Sequence, residues 1–157
     1  MNIFLLDKNI TKCAQYHCDQ HVVKMILESV QMLCTTHHVL GGNAPYKKCH
    51  INHPCTKWAL DSIHNAYWLI KHGMNLADEY HLRYGKQHSC YNTLLEAYYL
   101  FPKGKITNVT PFARAMPDEY KLDTSIDTFT AYKMYIASKP WVASNYLRMP
   151  ERKPEWI

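Results

Sequence analysis

The chain has 157 residues, 47% of them hydrophobic and 20% charged, with a formal net charge of +5. This length suits one domain over residues 1–157, and the apolar runs are far shorter than the roughly 20 residues that cross a membrane. The opening MNIFLLDKN has no basic n-region and meets an aspartate at position 7, so we do not expect it to be a signal peptide. Six cysteines without a CxxC pair indicate free thiols in a reducing, cytoplasmic compartment and argue against zinc ribbons. The mild basic charge is compatible with a polyanionic partner but does not require one.

The N-terminal part of the chain predicts an extended segment followed by a long helix. Residues 1–9 look extended. Apolar residues at helical spacing then run from a predicted N-cap at Thr11 to about residue 39. The helix should end at Gly41 and Gly42, because adjacent glycines do not continue a helix.

A second long helix is predicted from the segment INHPCTKW onward. Asn52 or His53 lies near its N-cap, and Pro54 occupies the first helical position, where its missing N–H costs nothing. The pattern continues to Gly85, and Gly73 is a predicted kink or break.

The rest of the chain predicts two shorter helices in irregular surroundings. They span about residues 89–100 and 124–138, with a long irregular segment over 101–121 and a tail rich in Pro, Trp and Arg after 138. No strand alternation is found. The predicted fold is therefore mainly α: a compact single-domain helical bundle with an extended N-terminus and an irregular C-terminal strap.

Polar side chains of the first long helix fall on one narrow stripe. At 100° per residue they lie within about 40° of His17 on a helical wheel. The stripe consists of His17, His21, Lys24, Glu28, Gln31 and Thr35. Most other positions are apolar, so the stripe is either a narrow solvated face or the lining of a cleft.

A cleft of this composition could support three kinds of chemistry. A metal could bind His17, His21 and Glu28, since i, i+4 histidines share a helix face. Glu28 could act as an acid near neutrality, with a histidine as its partner. The third kind is imine chemistry with Lys24 or with the chain's own N-terminus, because a free α-amine has a pKa near 8 against about 10.4 for lysine.

The stretch CDQHVVKMILE resembles the first long helix of the phage pyrimidine-dimer DNA glycosylases of the endonuclease V type. Asp19-Gln20-His21 is followed seven residues after the histidine by Glu28, as in that family. The segments NHPCTKW and ADEYHLRYGK also resemble parts of the family's second helix, so the resemblance covers about residues 16–86. The opening MNIF is similar to uncharacterised small phage proteins, for which the compartment would be the host cytoplasm.

The resemblance implies a DNA glycosylase with a coupled lyase step and no cofactor or metal. The terminal amine would attack the sugar's anomeric carbon and displace the base, leaving an imine that permits strand cleavage. Glu28 would handle protons, with His21 beside it. Met1 would supply the amine, because Asn2 is larger than the residue that follows the initiator methionine in the classical phage enzyme. The predicted catalytic residues are therefore Glu28, Met1, Asn2 and His21.

Substrate contacts are expected from the stripe, from the second helix and from the long irregular segment. Where the family carries two arginines that bind phosphate, this chain has Leu27 and Gln31. In the segment TPFARAMPDEYK, Phe112 could stack on a base and Arg114 could bind phosphate, or the segment could be a buried turn. The predicted substrate-binding residues are His17, Asp19, Lys24, Gln31, Asn52, His53, Trp58 and Arg114.

Two functions of other classes stay open at this point. One is a catalytically inactive protein that binds nucleotides or nucleic acid in the same cleft. The other is a metal-dependent hydrolase that uses His17, His21 and Glu28. The partner is DNA or a nucleotide for the glycosylase and for the inactive binding protein. The oligomeric state is not predicted.

Overall fold

The computed structural model describes residues 1–101 and 108–157. In these ranges it contains α-helices and two short 3-10 helices but no strand. The helices are α1 (Ile10–Gln15), α2 (Asp19–Val39), α3 (Pro54–Asp61), α4 (Ile63–Tyr84), α5 (Tyr91–Leu100), α6 (Asp118–Lys121) and α7 (Thr128–Ala137). The 3-10 helices span Val142–Ser144 and Pro150–Arg152. The mainly α prediction is confirmed.

The segment predicted as the first long helix forms two helices, α1 and α2. Asn9, and not Thr11, caps α1, because its side chain accepts from Lys12 N at 3.0 Å. The chain then turns, and α2 begins after Cys18, whose backbone is extended (φ −68°, ψ 165°). The Cys18 side chain forms no capping hydrogen bond to the first turn of α2. Instead Asn145 in the tail accepts from the N–H groups of Asp19 and Gln20, each at 2.8 Å.

The predicted second helix is also divided, but at a different residue. His53 caps α3 and Pro54 follows it, as expected. The break comes at Ser62, whose hydroxyl caps α4 by accepting from His64 N at 3.1 Å. Gly73 lies inside a continuous α4, where a Cβ atom would come within 2.8 Å of Leu94. Gly85 ends α4 in the left-handed region (φ 66°), as predicted.

The remaining elements follow the prediction with shorter bounds. Helix α5 begins at Tyr91, and α7 begins after Asp127, whose side chain accepts from Thr130 N at 2.7 Å. The predicted irregular segment over 101–121 contains α6, and its residues 102–107 lie outside the described ranges. Aside from its two 3-10 turns, the tail is irregular and packs back on α2 through Asn145.

The core lies mainly between α2 and α4, the two longest helices. The extended N-terminal segment is part of this core: Ile3, Phe4, Leu5 and Leu6 are all buried. This burial places the first residues of the chain against α2. No helix in the described ranges has the apolar length that a bilayer crossing requires.

Candidate active site

A cavity of about 290 Å³ opens beside the N-terminus. Its walls come from the N-terminal segment, from one face of α2 and from the end of α7 with the residues after it. The lining residues are Met1, Asn2, Phe4, His21, Lys24, Met25, Glu28, Tyr135, Lys139 and Trp141. The cavity therefore brings three of the stripe's titratable side chains together with the start of the chain.

Glu28 is the centre of the polar groups in this cavity. Its Oε2 accepts from the backbone N–H of Asn2 at 2.7 Å and lies 3.7 Å from the N-terminal amine of Met1. Its Oε1 lies 3.5 Å from the Lys24 ammonium, one helical turn away. The Glu28 side chain is only 8% exposed, so it depends on these partners to offset the loss of water.

The side chain of Asn2 anchors the N-terminal segment. Its Nδ2 donates to the Ala115 carbonyl at 2.6 Å. Its Oδ1 accepts from Ile3 N at 2.8 Å and from Phe4 N at 3.3 Å. Phe4 has φ 53°, in the left-handed region that L-residues rarely adopt. The Asn2 amide holds this turn and thereby sets the position of the amine next to it.

Met1 is seated by its own side chain, which is 2% exposed. Thr56 Oγ1 donates to its sulfur at 3.4 Å. The residue as a whole is half-buried, so its exposure comes from the backbone end that carries the amine. His53 lies nearby: burial and the N-terminal ammonium both lower the pKa of its ring.

His21 forms the aromatic side of the cavity with Phe4 and Trp141. Its ring centroid lies 4.6 Å from that of Phe4 and 5.4 Å from that of Trp141. Burial is the main cause that lowers the His21 pKa to about 3, and the positive charges of Lys139 and Lys24 lower it further. His21 is therefore a neutral imidazole at neutral pH.

His17 and Asp19 do not line the cavity. His17 lies in the turn between α1 and α2, fully buried, with its Nδ1 2.7 Å from the Cys13 carbonyl. Asp19 is buried in an ion pair with Arg83 at 3.1 Å. The helical wheel placed His17 on the stripe, and the turn before α2 moves it out of that helix; Asp19 was expected from the family resemblance.

The other predicted substrate contacts also lie outside the cavity wall. Gln31 is half-buried on α2, and Asn52 is exposed before α3. Trp58 is a core residue that stacks on Phe112 with centroids 4.8 Å apart. The Arg114 guanidinium donates to three carbonyls of its own segment, those of Tyr120, Asp123 and Ile126. The segment around Arg114 is a half-buried turn, and its arginine holds that turn together.

The described residues contain no group of three or more His, Cys, Asp or Glu side chains placed to hold a metal ion. His17, predicted as a metal ligand with His21 and Glu28, points into the core and contacts His72 with centroids 5.5 Å apart. The metal-dependent hydrolase therefore lacks the ligand set on which it depended.

Four residues that line the cavity or contact Met1 were not recognised as site residues from the sequence. Thr56 lies within the HPCTKW segment, and Tyr135, Lys139 and Trp141 come from α7 and the irregular tail. Helical periodicity could not find Lys139 and Trp141, because the tail has no regular spacing. The dipeptide Pro140-Trp141 after a lysine is a local signal of a turn with an aromatic residue, but not of a cavity wall.

Comparison with known families gives one result. The family model of the pyrimidine dimer DNA glycosylases matches residues 1–92, more than half of the chain. No curated protein and no solved structure matches the chain. The matched range includes Met1, His21, Lys24 and Glu28, the groups that meet at the N-terminal end of the cavity. The chain therefore belongs to the pyrimidine dimer DNA glycosylase family.

Proposed function

We propose that this protein releases a damaged pyrimidine from DNA through an imine with the Met1 amine and then cleaves the strand. Membership of the family implies a DNA substrate. The observation that supports this mechanism is the distance of 3.7 Å between the N-terminal amine and the buried carboxylate of Glu28, both of which line one cavity.

The first step substitutes nitrogen for the base at the sugar. The neutral amine of Met1 donates its lone pair to C1′, and the bond between C1′ and the pyrimidine nitrogen breaks. That electron pair leaves with the base, which takes up a proton. The nitrogen lone pair then forms the C1′=N bond as the C1′–O4′ bond of the sugar ring breaks. The electron pair of that bond goes to O4′, which takes up a proton, and the product is the C1′=N iminium with the second amine hydrogen still on nitrogen.

The second step cleaves the strand by β-elimination. The iminium acidifies the C2′ hydrogen, a base removes this proton, and the electron pair forms the C2′=C3′ bond as the C3′–O bond breaks. The 3′ phosphate leaves with the bonding electrons. Water then hydrolyses the imine and returns the free amine of Met1, so no oxidant or reductant is consumed.

Glu28 is suited to both proton transfer and charge stabilisation. Its Oε2 lies beside the amine, where it can accept a proton, and its negative charge would stabilise the positive charge that develops on a sugar bound to that amine. The bond from Asn2 N holds this oxygen, and Lys24 lies next to the other oxygen. His21 contributes a neutral ring to the wall and adds no charge there.

Lys24 is the rival nucleophile. Its side chain is 68% exposed, whereas the Met1 side chain is 2% exposed and holds the amine beside Glu28. The α-amine has the lower intrinsic pKa of the two amine types. We therefore assign the imine to the N-terminus.

Borohydride trapping tests this assignment. The protein is incubated with duplexes that carry one abasic site or one thymine dimer, sodium borohydride is added, and the adduct is located by peptide mass. We expect an adduct on Met1, lost when the α-amine is acetylated and retained in Lys24→Arg. No adduct with either duplex, together with retained binding, would instead establish the catalytically inactive nucleic-acid-binding protein.

A further inference from the structure

We infer that Lys139 binds a phosphate of the DNA substrate at the mouth of the cavity. This inference rests on the proposed function, because it takes the cavity beside Met1 and Glu28 as the place where DNA is held. It concerns a part of the chain beyond the family match, which ends at residue 92.

Lys139 is held in place at the cavity wall by one aromatic residue. Its Nζ lies 3.2 Å from the Tyr135 hydroxyl and 4.2 Å from the centroid of the same ring. Both residues line the cavity, together with Trp141. The lysine is therefore positioned before any ligand arrives, which lowers the entropy cost of using it as a contact.

The charge of Lys139 is not balanced within the part of the chain that the structure describes. No carboxylate there lies within 4.0 Å of its ammonium, whereas Lys24 pairs with Glu28. Three positive groups line the cavity, the amine of Met1 and the two lysines, against one negative group, Glu28. His21 is neutral, so the wall stays net positive even with the Met1 amine in its neutral, nucleophilic form, and it favours an anionic ligand.

Both lysines are near enough to the His21 ring to affect its titration. Lys139 and Lys24 each lower the His21 pKa through their positive charge. The two lysines thus line one cavity from different elements, Lys24 from α2 and Lys139 from the residues after α7. An ammonium presented in this way is a point contact for a phosphate oxygen, and DNA offers one such charge per nucleotide.

Salt dependence of binding separates a phosphate contact from a structural role. We would measure Kd for a duplex with one tetrahydrofuran abasic-site analogue between 50 and 200 mM salt. In Lys139→Gln the slope of log K against log salt should fall by about 0.9, the value for one lost phosphate contact. Lys139→Arg should keep the wild-type slope. Lys133→Gln, on α7 with its ammonium over the Trp156 ring, is the matched control and should also keep it.

A second measurement modifies the DNA and compares its binding to the wild-type protein and to Lys139→Gln. Single phosphates near the abasic analogue are replaced in turn by neutral methylphosphonates. One position should weaken binding of the wild-type protein but have no further effect on Lys139→Gln. Equal effects on both proteins at every position, or an unchanged slope in a folded Lys139→Gln, would overturn the inference. Absence of borohydride trapping in the wild-type protein, whatever its salt slope, would count against the proposed function instead.

Discussion

The backbone N–H of Asn2 donates to Oε2 of Glu28 at 2.7 Å, so the peptide next to the terminal amine binds directly to the buried carboxylate. The Asn2 side chain is occupied elsewhere, by Ala115, Ile3 and Phe4. The position of the Met1 amine relative to the Glu28 carboxylate is therefore fixed by a main-chain hydrogen bond, and not by contacts between two flexible side chains.

Glu28→Gln should remove turnover and leave binding largely intact. Glutamine keeps an oxygen that can accept from Asn2 N, so the fold is retained, but the negative charge and the proton acceptor are lost. We expect base release to fall by roughly 10²- to 10⁴-fold, measured in single-turnover assays on a thymine-dimer duplex. Glu119→Gln, an exposed carboxylate on α6, is the control. Unchanged activity in Glu28→Gln would mean that the chemistry lies elsewhere.

Asn2→Asp should impair both stability and trapping. Aspartate retains the acceptor for Ile3 N and Phe4 N but places an oxygen where Nδ2 now donates to the Ala115 carbonyl. Losing this buried donor should cost about 1–3 kcal/mol in the free energy of unfolding and slow adduct formation with an abasic duplex. Asn52→Asp, at an exposed position before α3, should change neither quantity. Equal trapping rates in the two variants would show that Asn2 does not position the amine.

Buried histidines should make the protein less stable as the pH falls below about 6.5. Burial lowers the pKa of His17 to about 4 and that of His72 to about 3. Below pH 6.5 the unfolded chain takes up protons that the folded rings do not, so stability is complete above pH 6.5 and is lost on acidification down to the folded-state pKa.

A single substitution tests this pH dependence. Each histidine should contribute a loss of about 2 kcal/mol between pH 7 and pH 5. His72→Phe keeps a ring that can stack on Trp68 but cannot take up a proton. The free energy of unfolding, measured with urea at pH 7 and at pH 5, should therefore differ by about 2 kcal/mol less in this variant than in the wild type. An identical pH difference in His72→Phe and the wild type would contradict the assignment.

Arg83→Met should destabilise the fold strongly. The Arg83 side chain is fully buried, pairs with Asp19 and Glu79, and donates to the carbonyls of Gln15 and His17. Removing it leaves two buried carboxylates short of a partner, which should cost about 3–5 kcal/mol.

The matched control for this change is Arg148→Ala. Arg148 contacts Asp19 only through its backbone N–H, and its guanidinium lies over the Tyr84 ring. Truncating this side chain should cost no more than about 1 kcal/mol. Urea denaturation measures both variants, and a similar small loss in each would show that the buried network contributes little.

The helical wheel correctly brought His21, Lys24 and Glu28 together, because all three lie on the unbroken part of α2. It failed for His17, since the chain turns between Gln15 and Asp19. The contacts that hold this turn come from Arg83 and Asn145, which are distant in the sequence, so local periodicity cannot reveal them. Division of the second helix at Ser62 instead of Gly73 has a local cause, a serine cap within an otherwise helical pattern.

The opposite wall of the cavity could not be predicted from spacing. Tyr135 lies on α7, but Lys139 and Trp141 follow its end, where no period relates one residue to the next. Their approach to α2 depends on the packing of the tail. Arg114 shows the reverse case: a conspicuous cation in a long irregular segment serves that segment's own carbonyls.

The cap on α2 has a consequence for how the protein is made. The helix that carries Glu28 begins with N–H groups that are satisfied by Asn145, more than a hundred residues later in synthesis. At about 5–20 residues per second, α2 leaves the ribosome many seconds before this partner does. The complete cavity therefore assembles after translation has passed residue 145, and a nascent chain stalled earlier should not form the borohydride-trappable site.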